Sequence, residues 1–132
     1  MSYEQWLAAL CLWREARGCT LLAKRAIYWV ILNRARDSKG RWPKTVPGVI
    51  LQHAQFSSFL QSDPNCIKFP QQGDPVDWAA FQSCQAAVSD SLGADPTSGA
   101  NSYESCPPDK MPSWADPTKV TIAVDGIRFY KL

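Results

Sequence analysis

Tyr3, Trp6, Leu7, Leu10, Cys11 and Trp13 recur at spacings of three and four, and a second stripe of the same period runs through Leu22, Ala23, Ala26, Ile27, Val30 and Ile31. That period is the signature of helices with one apolar face, and Gly18 is the punctuation between them. Ser2 and Thr20 stand where N-caps are wanted, so the pattern predicts one helix from near Ser2 and another from near Thr20. On the first wheel Glu15 falls at the margin of the apolar arc while Arg14 projects near its middle, which predicts that the helix ends or bends there. Asn33 is next in step on the second stripe and is expected to be a hydrogen-bonded amide tying that helix to a loop.

Beyond these helices the signals are shorter. Lys39-Gly40-Arg41-Trp42-Pro43 reads as a loop, Val46 to Gln52 as a short helix or turn, and Gln61 to Val76 as a long irregular stretch. Asp77 is read as the N-cap of a third helix through Trp78, Phe81, Ala86 and Val88, closed by Leu92-Gly93. Prolines 96, 107, 108, 112 and 117 then break the chain, and only Val120 to Tyr130, around the turn Asp125-Gly126, reads as a hairpin. The expected class is α+β, mainly α, in one domain spanning 1–132 with a small β element. At 45% hydrophobic residues such a chain can fill one core.

Composition narrows the partners. No apolar run reaches the roughly 18 residues of a membrane span, and Ser2-Tyr3-Glu4-Gln5-Trp6 is not the basic start of a leader, so no stable membrane association is expected. The five cysteines are odd in number and lack C-x-x-C spacing, which favours reduced thiols, and with one histidine, His53, neither a metal site nor a cofactor is predicted. Met1 to Lys44 carries nine Lys/Arg against three Asp/Glu, and Thr45 to Leu132 five against nine, so the basic half suits an anionic polymer or is simply a solvated face. No nucleic-acid-binding motif accompanies it.

Glu15 is the candidate for chemistry. Cleaving a glycosidic bond takes a protonated carboxylic acid near the leaving oxygen, and apolar surroundings keep a carboxyl protonated near neutral pH. Glu15 lies at the edge of a tryptophan-rich face and at a helix end, with Arg14 and Arg17 as ion-pair partners that would oppose this. Sugar grooves use aromatic faces beside polar groups. Of the six tryptophans, Trp6 and Trp29 are expected in the core, and Trp42 and Trp114, in loops, to contact ligand.

Glu15-Ala16-Arg17-Gly18, Val30-Ile31-Leu32-Asn33-Arg34, Trp42-Pro43-Lys44-Thr45-Val46 and Gln55-Phe56-Ser57 follow in that order. Asp95-Pro96-Thr97-Ser98-Gly99-Ala100 with Tyr103, then Pro112-Ser113-Trp114, then Phe129-Tyr130 complete the series. The set resembles the cell-wall hydrolase family of the SleB, spore-cortex-lytic type over almost the whole chain. That resemblance implies a lysozyme-like fold and cleavage of the β-1,4 bond between N-acetylmuramic acid and N-acetylglucosamine, with Glu15 as acid/base. It further points to Gln55, Phe56, Ser57, Tyr103, Trp114 and Tyr130 as substrate contacts, and to Arg17 and Asn33 as support for Glu15. Two positions depart from the pattern: Cys19 replaces an acidic residue, and Ile127 a histidine.

A hydrolytic glycosidase needs two carboxyl groups about 5 to 9.5 Å apart. Glu104, beside Tyr103, is the best second one the sequence offers. A lytic transglycosylase needs one, because the muramyl 6-hydroxyl attacks intramolecularly, and carboxylate scarcity favours that reaction over a hydrolytic muramidase. Two further readings stay open: a cysteine amidase or peptidase with Cys19 as nucleophile and His53 as base, and a non-catalytic peptidoglycan-binding module. The expected partner is a peptidoglycan glycan strand, and the expected state is monomeric. Without a leader, the chain is expected to be made in the cytoplasm and to act on the wall after release, as a phage endolysin does.

Overall fold

The computed structural model describes residues 1–52, 64, 68–89 and 93–132. Helix α1 spans Tyr3–Ala16 and opens on a capping box, in which the Ser2 hydroxyl accepts from the Gln5 amide and the Gln5 side chain accepts from the Ser2 amide. Every residue from Leu7 to Arg14 is buried, so α1 is enclosed on all sides instead of presenting the single apolar arc its spacing suggested. The small side chains Ala8 and Ala9, both without solvent exposure, allow this, because α2, α3 and α4 all pack against it. Trp6 lies outside the enclosed stretch and is 41% exposed, contrary to the core position expected for it, while Trp29 is half-buried.

Helix α2, Leu21–Ala35, starts on Thr20, whose hydroxyl accepts from the Ala23 amide. Its buried set begins at Ala23; Leu22, assigned above to the apolar stripe, is 48% exposed. Helix α3, Val46–Leu51, is capped by Thr45. Gly48 is required there, since a Cβ would come within 2.8 Å of both Pro43 Cβ and Thr45 Oγ1.

Helix α4 spans Pro75–Ala87, and its N-cap is Asp74, not Asp77. Asp74 Oδ1 accepts from the Val76 and Asp77 amides, and Pro75 occupies the first helical position, where its missing N–H costs nothing. Asp77, displaced into the first turn, accepts from Trp13 Nε1 at 3.1 Å and from the Gln71 amide at 2.8 Å.

Three antiparallel strands complete the fold: β1 (Ser102–Glu104), β2 (Val120–Val124) and β3 (Ile127–Tyr130), in the order β1-β3-β2. The hairpin β2–β3 follows the sequence signal, with Asp125 and Gly126 both at positive φ as a two-residue turn demands. The short strand β1 was not foreseen. Its register sets Tyr103 opposite Phe129 and Glu104 opposite Arg128. Because side chains alternate across a strand, Tyr103, Ile122, Phe129 and Ile127 turn one face to the helices, and Glu104, Arg128 and Tyr130 share the other.

Leu12 has no solvent exposure in the middle of α1. Leu12→Ala is expected to lower unfolding stability by about 2 to 5 kcal/mol. Urea unfolding at constant slope measures it, and a loss below about 1 kcal/mol would contradict the central position of α1.

Candidate active site

Glu15 sits in the last turn of α1 with its side chain exposed to solvent. Its neighbours through space are Cys11, one helical turn earlier, and Tyr103 on β1, both of which feel its charge. Tyr103 is half-buried, its ring 5.9 Å from that of Phe129. Burial, reinforced by Cys11 and Glu15, pushes its hydroxyl far above the ordinary phenol range. Tyr103 therefore remains a neutral O–H donor beside Glu15 at every working pH.

The arginines flanking Glu15 have engagements of their own. Arg14 is buried, its Nε donating to the Lys68 carbonyl at 3.1 Å and its guanidinium 4.9 Å from the Phe69 ring centroid. Arg17 lies 4.7 Å over the Trp13 ring and donates to the Trp13 carbonyl at 3.3 Å. In the structure Arg17 thus packs back on α1.

Asn33 does tie α2 to a loop. Its amide donates to Asp95 Oδ2 at 2.9 Å and to the Ala100 carbonyl at 2.8 Å. Asp95 also accepts from the Thr97 amide, the Thr97 hydroxyl and the Gly99 amide, so one carboxylate organises the Asp95-Pro96-Thr97-Ser98-Gly99-Ala100 motif. Next along the chain, Arg34 Nε donates to the Asn101 carbonyl at 2.6 Å, and Asn101 bonds to Tyr130 and Leu132. These bonds fix the start of β1, and so Tyr103. Asp95 was not singled out as a site residue, although an Asp followed two residues later by Thr is a known turn signal.

Glu104 faces away from this cluster. Buried at 6% exposure, it pairs with Arg128 and accepts from the Tyr130 hydroxyl at 2.9 Å and the Cys106 amide at 2.7 Å. The Arg128 guanidinium, more than burial opposes it, holds its carboxyl below the usual range. Tyr130 is fully buried, so the substrate contact expected of it is not available; it is a structural anchor for Glu104. Trp114 is 40% exposed and stands edge-on to Tyr130 at 5.4 Å, on the same sheet face as Glu104. Trp42 is half-buried beneath the guanidinium groups of Arg34 and Arg41. His53, Gln55, Phe56 and Ser57 lie outside the described residues.

Cys19 does not show the thiolate character a nucleophile needs: partial burial first, then the charge of Asp125, pushes its thiol up. Asp125 also accepts from the Thr20 amide at 2.9 Å, so the hairpin turn is fastened to the corner that follows Glu15. Among the described residues no three His, Cys, Asp or Glu side chains converge as a metal site, and no helix is long and apolar enough to cross a membrane.

A carboxyl group at the end of a buried helix, faced by a short sheet, defines a lysozyme-like α+β enzyme fold. The model of the cell wall hydrolase family matches residues 20–130, and the chain belongs to that family. The match begins after Glu15. The catalytic domain of the Bacillus cereus SleB protein superposes with a TM-score of 0.69 at 27% identity, covering 97% of this chain and 89% of that one. The catalytic domain of SleB from Bacillus anthracis, described as a germination-specific lytic transglycosylase, gives 0.69 at 26% identity, covering 99% and 97%. No curated protein matches. The chain is a cell-wall-degrading enzyme of the SleB type.

Asp95 and Glu104 make a specific prediction about acid. For Asp95 burial acts upward but the bonds from Thr97 and Asn33 outweigh it, so both carboxyls titrate below their ordinary values of 3.8 and 4.5. A depressed folded pKa gives stability that is complete above the ordinary value and lost as the pH falls below it. Melting temperature is therefore expected to be flat above about pH 5 and to drop below about pH 4, with a shallower acid limb in Glu104→Gln. An unchanged limb in that variant would count against the Glu104 assignment.

Proposed function

We propose that this chain cleaves the β-1,4 bond between N-acetylmuramic acid and N-acetylglucosamine as a lytic transglycosylase, with Glu15 as its acid/base. The observation that carries the reading is the contrast between the two glutamates. Glu15 is exposed at the end of α1 beside Tyr103, whereas Glu104 is buried in its pair with Arg128 on the other sheet face. One carboxyl group suffices if the nucleophile belongs to the substrate. The description of the Bacillus anthracis domain as a lytic transglycosylase supports the same choice.

In this scheme protonated Glu15 donates to the glycosidic oxygen as the C–O bond breaks and positive charge grows at the anomeric carbon. The resulting carboxylate then takes the proton of the muramyl 6-hydroxyl, whose oxygen closes on the anomeric carbon to give the 1,6-anhydro sugar. Intramolecular attack supplies a high effective molarity in place of a carboxylate-activated water. Tyr103, neutral and hydrogen-bond-donating, orients the sugar beside Glu15. Gln55, Phe56 and Ser57 bind the sugar rim, and Asn33 acts indirectly through Asp95 and the start of β1.

Glu15→Gln keeps the shape and removes the titrating proton, and is expected to lower clearing of purified sacculi by at least about a hundredfold. Near-equal rates for the two proteins would overturn the assignment. Mass spectrometry of the released muropeptides reads the reaction type: 1,6-anhydromuramic ends are expected, and reducing muramic ends would establish a hydrolytic muramidase instead. In the same assay Glu104→Gln is expected to retain kcat within about threefold while melting at a lower temperature, since a buried partner is lost but no reacting group.

A further inference from the structure

A surface cleft of about 300 Å³ opens between the corner after α1 and the first turn of α4, lined by Arg17, Gly18, Asp74, Val76, Asp77 and Ala80. Its charged groups are held in place by the fold. Stacking on Trp13 and the bond from Nη1 to the Trp13 carbonyl fix the Arg17 guanidinium and leave its remaining N–H groups for a ligand. The Trp13 indole is itself anchored by Asp77, whose second oxygen accepts from Gln71, so Asp77 is used up as scaffold. Asp74 differs: Oδ1 takes both helix amides, and Oδ2 has no bond within the described residues. Val76, 82% exposed, and Ala80 supply an apolar wall.

A guanidinium and a carboxylate oxygen in one small cleft suit a ligand bearing both charges on neighbouring atoms. A simple anion would meet Asp74 and Asp77, and a simple cation would meet Arg17. Resting on the wall-glycan reading above, we propose that this cleft binds the zwitterionic end of a diamino acid in the peptide stem: its carboxylate on Arg17, its ammonium on Asp74. Stems carry such a residue at their third position in walls built with meso-diaminopimelate, whereas lysine-type stems present an ammonium alone.

The test is calorimetric binding of the free tripeptide L-alanyl-γ-D-glutamyl-meso-diaminopimelate, and of its lysine counterpart, to Glu15→Gln protein. The diaminopimelate peptide is expected to bind about tenfold more tightly than the lysine peptide, and to lose about tenfold on adding Arg17→Gln or Asp74→Asn. Asn caps a helix as well as Asp does, so Asp74→Asn should melt as its parent does, and the two-peptide comparison needs no change in the cleft at all. Equal affinity for the two peptides, absence of binding, or indifference to both substitutions would overturn the proposal. Cleavage of the glycan is scored separately by the muropeptide assay, so failure of the cleft and failure of the glycosidase reading give different results.

Discussion

The carboxylate of Asp95 accepts four hydrogen bonds, three from its own loop and one from Asn33 on α2. That knot converts a proline- and glycine-interrupted segment into a fixed lead-in for β1. Three residues cannot make a stable strand alone, so the position of β1 depends on how it is delivered to the sheet. Tyr103 is brought beside Glu15 by that lead-in, held by Asn33, Arg34 and Asp95, together with the pairing of β1 to β3. Geometry at the site is thereby set by polar bonds some distance from the carboxyl group it serves.

The two faces of the small sheet divide the labour. The inner face adds Phe129 and Ile127 to the helical core and presents Tyr103 to α1. On the outer face Glu104, Arg128 and Tyr130 satisfy one another, and Trp114 packs on the Tyr130 ring. Strand alternation makes the division unavoidable: with Tyr103 turned inward, its neighbour Glu104 is turned away. Two adjacent polar residues in one sequence motif thus end in unrelated environments.

Long elements with strong signals were legible in the sequence, as were the Ser2 and Thr20 caps and the Asp125-Gly126 turn, because each is encoded by contiguous residues. Three things were not. The full enclosure of α1 depends on which other helices surround it, which spacing along one helix does not reveal. Asp74 and Asp77 both look like caps, and Pro75 was the overlooked arbiter, since it belongs just inside a helix. β1 is too short for an alternation signal and exists because β3 pairs with it. At the site, Glu15 and Tyr103 were chosen by motif, but the burial of Tyr130 and the pairing of Glu104 are tertiary facts that no local pattern carries.

The strand order has a consequence for how the molecule comes together. β3 lies between β1 and β2, yet it is the last of the three in the chain. No part of the sheet can form until β3 exists, and β1 has to wait for a partner more than twenty residues downstream. Helices dominated by near-neighbour contacts are free to form earlier, and the non-local pairing of β1 comes late. On that order Tyr103 joins Glu15 late, and the pair proposed to act on the wall is among the last features of the fold to be assembled.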